Sequence, residues 1–312
     1  MNLFSENMDK DINIAVLMGG PGSERNVSLA SGNAVLNALK SEGLNAVPVD
    51  VTTHDIHLPQ GIGLCFNTIH GTFGEDGEMQ AILEDMGIPY TGAGVDSSRV
   101  AFDKVSSKEV FVRHGVPTPS SEIVQFSSDV KLPNMSLPYV VKPPREGSSV
   151  GVHIVDNQAD AHAAMEDASN YGDEVLIEQF VSGKELTVGV LDGEVLPIVH
   201  IAPRSGFYDM KNKYPWLNDE GGTDYYCPAD LDEATAARVQ QAALKAHRAL
   251  GIEIYSRVDV LLDTANNPYV LEANTIPGMT ASSLLPKAAK VAGYEFGPLC
   301  RKIVELSLAM RT

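Results

Sequence analysis

Along the first hundred positions, short continuous apolar runs alternate with helix-spaced ones. Ile12-Asn13-Ile14-Ala15-Val16-Leu17-Met18 reads as a buried strand. Val27, Ala30, Ala34, Val35, Ala38 and Leu39 then recur at near-helical spacing, which predicts a helix over about 28–40. With further strands at 47–51 and 64–68, residues 1–103 predict an open α/β domain on a parallel sheet. Residues 104–184 change in texture: a helix at 104–114, strands at 139–142, 152–155 and 175–180, and a helix at 158–169. That mixture predicts a small central α+β domain. Residues 185–312 predict a second α+β domain: strands at 186–191 and 194–200, a long loop at 203–227, a helix at 233–250, a hairpin and a terminal helix.

The hairpin is the most pointed of these patterns. Arg257-Val258-Asp259-Val260-Leu261-Leu262 and Pro268-Tyr269-Val270-Leu271-Glu272-Ala273-Asn274 flank Asp263-Thr264-Ala265-Asn266-Asn267, which is rich in turn formers. Symmetric closure about 265–266 sets Asp259 opposite Glu272 and Arg257 opposite Asn274, all on one face. Carboxylates facing each other across a ladder repel. A hard divalent cation turns that cost into a binding site, since Mg²⁺ favours one or two carboxylates plus substrate phosphates.

Composition narrows the partners. The chain of 312 residues carries 23 basic and 41 acidic side chains, a net charge of −18, which argues against nucleic acid or an anionic membrane. ATP is still compatible if a few Lys and Arg converge. Cys65, Cys227 and Cys300 are widely spaced, so neither a disulfide framework nor a zinc site is expected. There is no signal-like N-terminus and no apolar run near ~20 residues, so a cytoplasmic protein is expected.

Several segments could hold a ligand, and each has a plain structural reading beside it. Gly19-Gly20-Pro21-Gly22-Ser23-Glu24-Arg25 joins a strand to a helix, but Arg25 stands where a dinucleotide fingerprint needs its third Gly. A tight turn explains it as well. Glu24 sits at the carboxyl end of a strand, where α/β sheets bind ligands. No P-loop motif occurs, so phosphates must be gripped otherwise, and Lys142 beside the 145–151 Gly/Ser loop is a workable clamp or simply a surface Lys. Glu178-Gln179-Phe180-Val181, with Glu185, ends a strand at a domain junction and could meet a base and ribose. The 203–227 loop, with Lys213, Tyr214 and Trp216, suits a lid or a mobile connector. His70 is either a ligand contact or structural, and Gly278 to Leu284 either an oxyanion site or a helix cap.

Together these segments resemble the D-alanine–D-alanine ligases of the ATP-grasp superfamily over roughly 12–308. The carriers are Gly19-Gly20 with Ser23-Glu24-Arg25, His70-Gly71 with Gly74-Glu75-Asp76-Gly77, Pro89-Tyr90-Thr91-Gly92, Lys142-Pro143 with Glu146-Gly147-Ser148-Ser149, Lys213-Tyr214, Arg257-Val258-Asp259, and Glu272-Ala273-Asn274 through Gly278-Met279-Thr280.

The resemblance implies the ATP-grasp fold and an ADP-forming ligase that supplies D-alanyl-D-alanine for peptidoglycan. ATP phosphorylates one D-alanine carboxylate, and the amine of a second displaces phosphate. It implies Asp259, Glu272 and Asn274 as ligands of Mg²⁺ or Mn²⁺, two ions in all. Lys104, Lys142 and Lys213 would grip ATP phosphates; Glu178, Gln179, Phe180 and Val181 would line the adenine pocket, with Glu185 on ribose. Glu24 would hold the first D-alanine ammonium near His70, while Ser148 and Tyr214 link the lid to Glu24. Arg257 and the Gly278 N–H would stabilise the oxyanion, and the Ser283 and Leu284 N–H groups would hold the second carboxylate. A homodimer is also implied. Residues 215–224 run longer than in some members, and Ile276 stands where some carry Ser. A ligase joining D-alanine to D-lactate or D-serine, or an ATP-binding protein without catalysis, are the alternatives.

Overall fold

The computed structural model describes residues 12–127, 132–204 and 222–312. Three sheets organise them. The first has the order β2-β1-β3 and is parallel: β1 (Asn13–Gly19), β2 (Asn45–Val51) and β3 (Ile62–Asn67). Ile14 to Met18 on the central strand are all buried, as an apolar run covered on both faces requires. The turn after β1 needs left-handed glycines at Gly19 and Gly20 (φ 87° and 89°), and a Cβ on Gly20 would lie 2.5 Å from Ile69 Cγ2. Helix α1 (Arg25–Ser41) follows directly. Arg25 bonds Asp50 at 2.7 Å and the Val51 carbonyl at 3.1 Å, so it clamps this turn onto β2.

Helices α2 (Glu78–Asp85), α3 (Val95–Phe102) and α4 (Lys104–His114) lead into the second sheet. Asp103 caps α4 by accepting from the Val105 and Ser106 N–H groups, at 2.9 and 3.1 Å. That sheet is antiparallel in the order β4-β7-β5-β6, from β4 (Ser121–Gln125), β5 (Tyr139–Lys142), β6 (His153–Val155) and β7 (Glu174–Gln179). Helix α5 (Ala161–Ser169) covers one face through Tyr139, Val141, Met165 and Ile177. The other face carries Lys142 and Glu178.

The third sheet is antiparallel, β11-β10-β8-β12-β13 with β9 on β8. Its strands are β8 (Gly183–Leu191), β9 (Glu194–Val195), β10 (Val199–Pro203), β11 (Thr223–Tyr226), β12 (Tyr255–Asp263) and β13 (Pro268–Asn274). The expected single strand over 194–200 is in fact two, because Pro197 has no N–H for the ladder. The end of the expected 203–227 loop is ordered as β11, paired with β10.

Helices α6 (Glu233–Ala249), α7 (Leu284–Val291) and α8 (Phe296–Arg311) complete the chain. The last two pack back on α1: Leu284, Leu299 and Ile303 share one core with Val16, Val35 and Leu39. Among the described residues no helix is long and apolar enough to cross a membrane, and the three cysteines are free.

One buried histidine gives the fold a pH dependence. His247 on α6 is 4% exposed and hydrogen-bonds Ser256 at 2.8 Å. Burial, reinforced by Arg248, pushes its pKa down to about 4. The unfolded chain then takes up this proton near its ordinary value while the folded protein resists, so stability falls as pH drops from about 6.5 toward 4. The shift corresponds to a loss on the order of 3 kcal/mol. Thermal melts across that range should show a shallower slope for His247→Gln than for the wild type; identical slopes would assign the acid sensitivity elsewhere.

Candidate active site

The β12–β13 hairpin forms one wall. Arg257 pairs with Asn274, Val258 with Ala273 and Asp259 with Glu272, but Val260 pairs with Val270 and Leu262 with Pro268. The hairpin therefore does not close symmetrically about 265–266. Its loop is tighter: Asp263 and Asn267 close it, with Asn266 left-handed at φ 63°. Leu271 is the extra residue of a β-bulge that restores the spacing. A hairpin running straight from that turn would set Glu272 opposite Val258, which is fully buried. The bulge brings Glu272 and Asn274 to the face of Arg257 and Asp259.

Each of the facing carboxylates is met by a cation, so their repulsion does not by itself demand a metal. Asp259 accepts from Arg257 Nε at 3.0 Å and Nη2 at 2.8 Å, from Thr187 Oγ1 at 2.6 Å and from Asn274 Nδ2 at 3.1 Å. Lys104 Nζ lies 3.1 Å from Glu272 Oε2 and donates to the Glu146 carbonyl at 2.7 Å. The donor set still fits a hard cation. Two carboxylates share a face, and Asn274, whose amide direction is inferred from its hydrogen bonds, offers Oδ1 when turned.

The central sheet adds a buried charge cluster. Lys142 Nζ donates to Glu178 Oε2 at 2.5 Å, and Lys108 Nζ contacts Oε1 of the same carboxylate. Burial pushes the Glu178 carboxyl up, but the Lys142 and Lys108 ammoniums outweigh it and hold it below the usual range. Burial pushes the Lys108 ammonium down. The Glu178 side chain is thus directed at two lysines rather than into an open pocket. Gln179 is tied to Ser120 through its N–H at 2.9 Å and its Oε1 at 3.1 Å. Phe180 and Val181 are half-buried in the β7–β8 connection, and Glu185 lies on β8 opposite Leu261 and Ile201.

The opposite wall is built around Glu24. Ser148 Oγ donates to Glu24 Oε1. A Cβ on Gly71 or Gly147 would come within 2.9 or 3.0 Å of Glu24 Oε2, so both glycines leave room for that carboxylate. Ser148 and Ser149 take left-handed φ values of 51° and 62°, the strained backbone that presents the Ser148 hydroxyl. His70 is 6% exposed, with Nε2 3.0 Å from Ser31 Oγ and Nδ1 2.8 Å from the Ile276 carbonyl. The Ile276 carbonyl can only accept, so Nδ1 carries a proton, and Ser31 Oγ, which accepts from the Met279 N–H at 3.2 Å, can donate its own proton to Nε2. The relay ties α1 to the loop that carries Gly278. Burial pushes the Glu75 carboxyl up, opposed by its contact with His70.

These walls enclose a cavity of about 440 Å³. Glu24, His70, Ser148, Arg257, Glu272, Asn274, Gly278, Ser283 and Leu284 all line it. Asp259, Lys104, Lys142, the 178–181 segment and Glu185 do not, and Lys213 and Tyr214 lie outside the described residues. Helix α7 begins at Leu284, so Gly278 belongs to the preceding loop rather than to a helix start. The Ser283 N–H is taken by the Thr280 carbonyl at 2.9 Å, which leaves Leu284 as the backbone donor of the pair with no acceptor inside the helix. Lys108, Ser31 and Thr187 were not expected at the site. Only Lys108 had a local signal, standing four residues beyond Lys104 on one helix face.

Comparison with known proteins agrees with this architecture. Residues 110–305 match the D-ala D-ala ligase C-terminus family and residues 52–93 the D-ala D-ala ligase N-terminus family. The chain belongs to the D-alanine–D-alanine ligase family. A D-alanine–D-alanine ligase of Methylacidiphilum infernorum is 46% identical over 294 residues, covering 94% of this chain and 95% of that protein. One of Citrifermentans bemidjiense is 46% identical over 297 residues, covering 94% and 95%. The fold is the ATP-grasp fold of these ligases. The D-alanine–D-alanine ligase of Bacillus anthracis complexed with ATP superposes with a TM-score of 0.82 at 32% identity, over 96% of this chain and 98% of that one. The VanG D-Ala:D-Ser ligase of Enterococcus faecalis gives 0.82 at 27% identity, over 95% and 99%. The backbone is therefore shared between dipeptide and mixed ligases.

Proposed function

We propose that the protein joins two D-alanine molecules at the expense of ATP, through an acyl phosphate, to supply D-alanyl-D-alanine for peptidoglycan. The observation that carries this reading is the single cavity in which Glu24, Arg257, Gly278 and the Glu272–Asn274 face converge. Glu24, with Ser148 on its carboxylate, takes the ammonium of the first D-alanine. Arg257 and the Gly278 N–H face the oxygen that becomes negative when the second amine attacks. Leu284, at the start of α7, receives the second carboxylate, with Ser283 beside it in the cavity lining. Lys104, Lys142 and, from the segment outside the described residues, Lys213 hold phosphate oxygens. Phe180 and Val181 receive the base beyond the end of β7, with Gln179 and Glu185 beside them.

Asp259, Glu272 and Asn274 would hold Mg²⁺, or Mn²⁺, which supplies charge neutralisation for the transferring phosphate. Thr187 and Lys104 keep the two carboxylates oriented toward the shared face. The reading extends to two such ions and a homodimer, as the family resemblance implies, and to the domain division 1–103, 104–184 and 185–312 and a cytoplasmic location, as the sequence pattern and composition suggest. The test is phosphate release from ATP on adding D-alanine, with the product identified in the presence and absence of D-lactate and D-serine. D-alanyl-D-alanine as the main product supports the reading. A mixed product as the main species, or ATP binding without D-alanine-dependent phosphate release, overturns it.

A further inference from the structure

Two lysines share one buried carboxylate where α4 meets the central sheet. Lys108 and Glu178 expose only 4% and 3% of their side chains, and Lys142 exposes 10%. Lys108 also donates to Thr118 Oγ1 at 2.8 Å and to the Pro119 carbonyl at 2.9 Å, so its three donors are used. Glu178 pairs with Val140 and Lys142 with Leu176, so the two side chains are diagonal neighbours on one face of the sheet. Buried ions are costly and persist where partners compensate them. One Lys and one Glu would suffice for a neutral pair, yet here two ammoniums meet one carboxylate and one positive charge is left over. Lys142 is the more exposed of the two lysines, and it ends β5 just before the 145–151 loop.

We propose that Lys108 is a positioning residue for nucleotide binding: it occupies Glu178 so that the carboxylate does not cancel Lys142, whose charge then serves a nucleotide phosphate. The inference rests on the reading of this cleft as an ATP site. Helix α4 thereby sets two charges of the cleft, since Lys104, one turn earlier, reaches Glu272 and the Glu146 carbonyl. A purely structural pairing of Lys108 with Glu178 predicts something different. On that view, removing both partners leaves nucleotide affinity no better than removing Lys108 alone.

The experiment is calorimetric titration of the full-length protein with Mg²⁺-ADP, with far-UV circular dichroism to confirm folding. Lys108→Met leaves Glu178 to neutralise Lys142 and should weaken ADP binding by about 10- to 100-fold. Lys108→Met combined with Glu178→Gln restores the single surplus charge and should return the Kd to within about threefold of the wild type. An unchanged Kd in Lys108→Met, or a double variant no better than Lys108→Met, overturns the proposal. If Lys108→Met does not fold, Glu178→Gln decides: ADP affinity at or above the wild type supports the proposal, and a loss of about tenfold or more overturns it. Failure of the wild type to bind ADP would remove the ligase reading as well, whereas normal ligase turnover with an unaffected Lys108→Met removes this proposal alone.

Discussion

Replacing Arg257 by Lys should lower kcat by about 10²- to 10³-fold while leaving the far-UV spectrum unchanged. The guanidinium makes a two-pronged contact with Asp259, at 3.0 and 2.8 Å, and lines the cavity with Gly278. A lysine keeps the charge but cannot reproduce the planar fork. If Arg257 meets the developing oxyanion, the loss falls on kcat, because the interaction strengthens only as negative charge appears on that oxygen. Steady-state kinetics in D-alanine and ATP would check this. A kcat within about threefold of the wild type would show that charge alone suffices, and the oxyanion assignment would be withdrawn.

Changing Glu272 to Gln should cost about 100-fold or more in Mg²⁺-ATP turnover with little effect on Tm. The side chain is 27% exposed, and its contact with Lys104 is of the partly solvated kind that contributes roughly 0–1 kcal/mol. Stability should therefore barely register the change. The neutral amide keeps the size of the carboxylate but removes one of the two negative charges on the shared face. Titration with Mn²⁺ in the presence of ADP gives a direct readout, with the variant binding the ion more weakly. Near-normal turnover and ion affinity would move the metal site away from this hairpin.

Both predictions depend on a register that the sequence made legible for an incomplete reason. Symmetric closure about 265–266 predicts the opposition of Asp259 and Glu272, and the structure has that pairing without that closure. Alternation could not show that a three-residue loop and a bulge at Leu271 offset each other. The Asp263–Asn267 bonds and the left-handed Asn266 fix the loop, and the buried Val258, Val260, Val270 and Ala273 fix the bulge by their demand for the core. In the same way, Gly71 and Gly147 were legible as motif glycines. That both leave space for Glu24 is visible only when segments far apart in sequence meet.

The sequence by itself determined the strand and helix periods, the chemical types at the site and the family, because those depend on local pattern and on residue identity in order. Tertiary structure alone decided how charge is distributed. Lys108 is marked in the sequence only by standing four residues beyond Lys104, and packing alone buries it against Glu178. His70 reads as a lone turn histidine, yet Ser31 and the Ile276 carbonyl hold its ring and join α1 to the Gly278 loop. In each case the partners lie well beyond the reach of any periodicity. The cost of burying an ion or an imidazole is settled only by what the fold places within hydrogen-bonding distance.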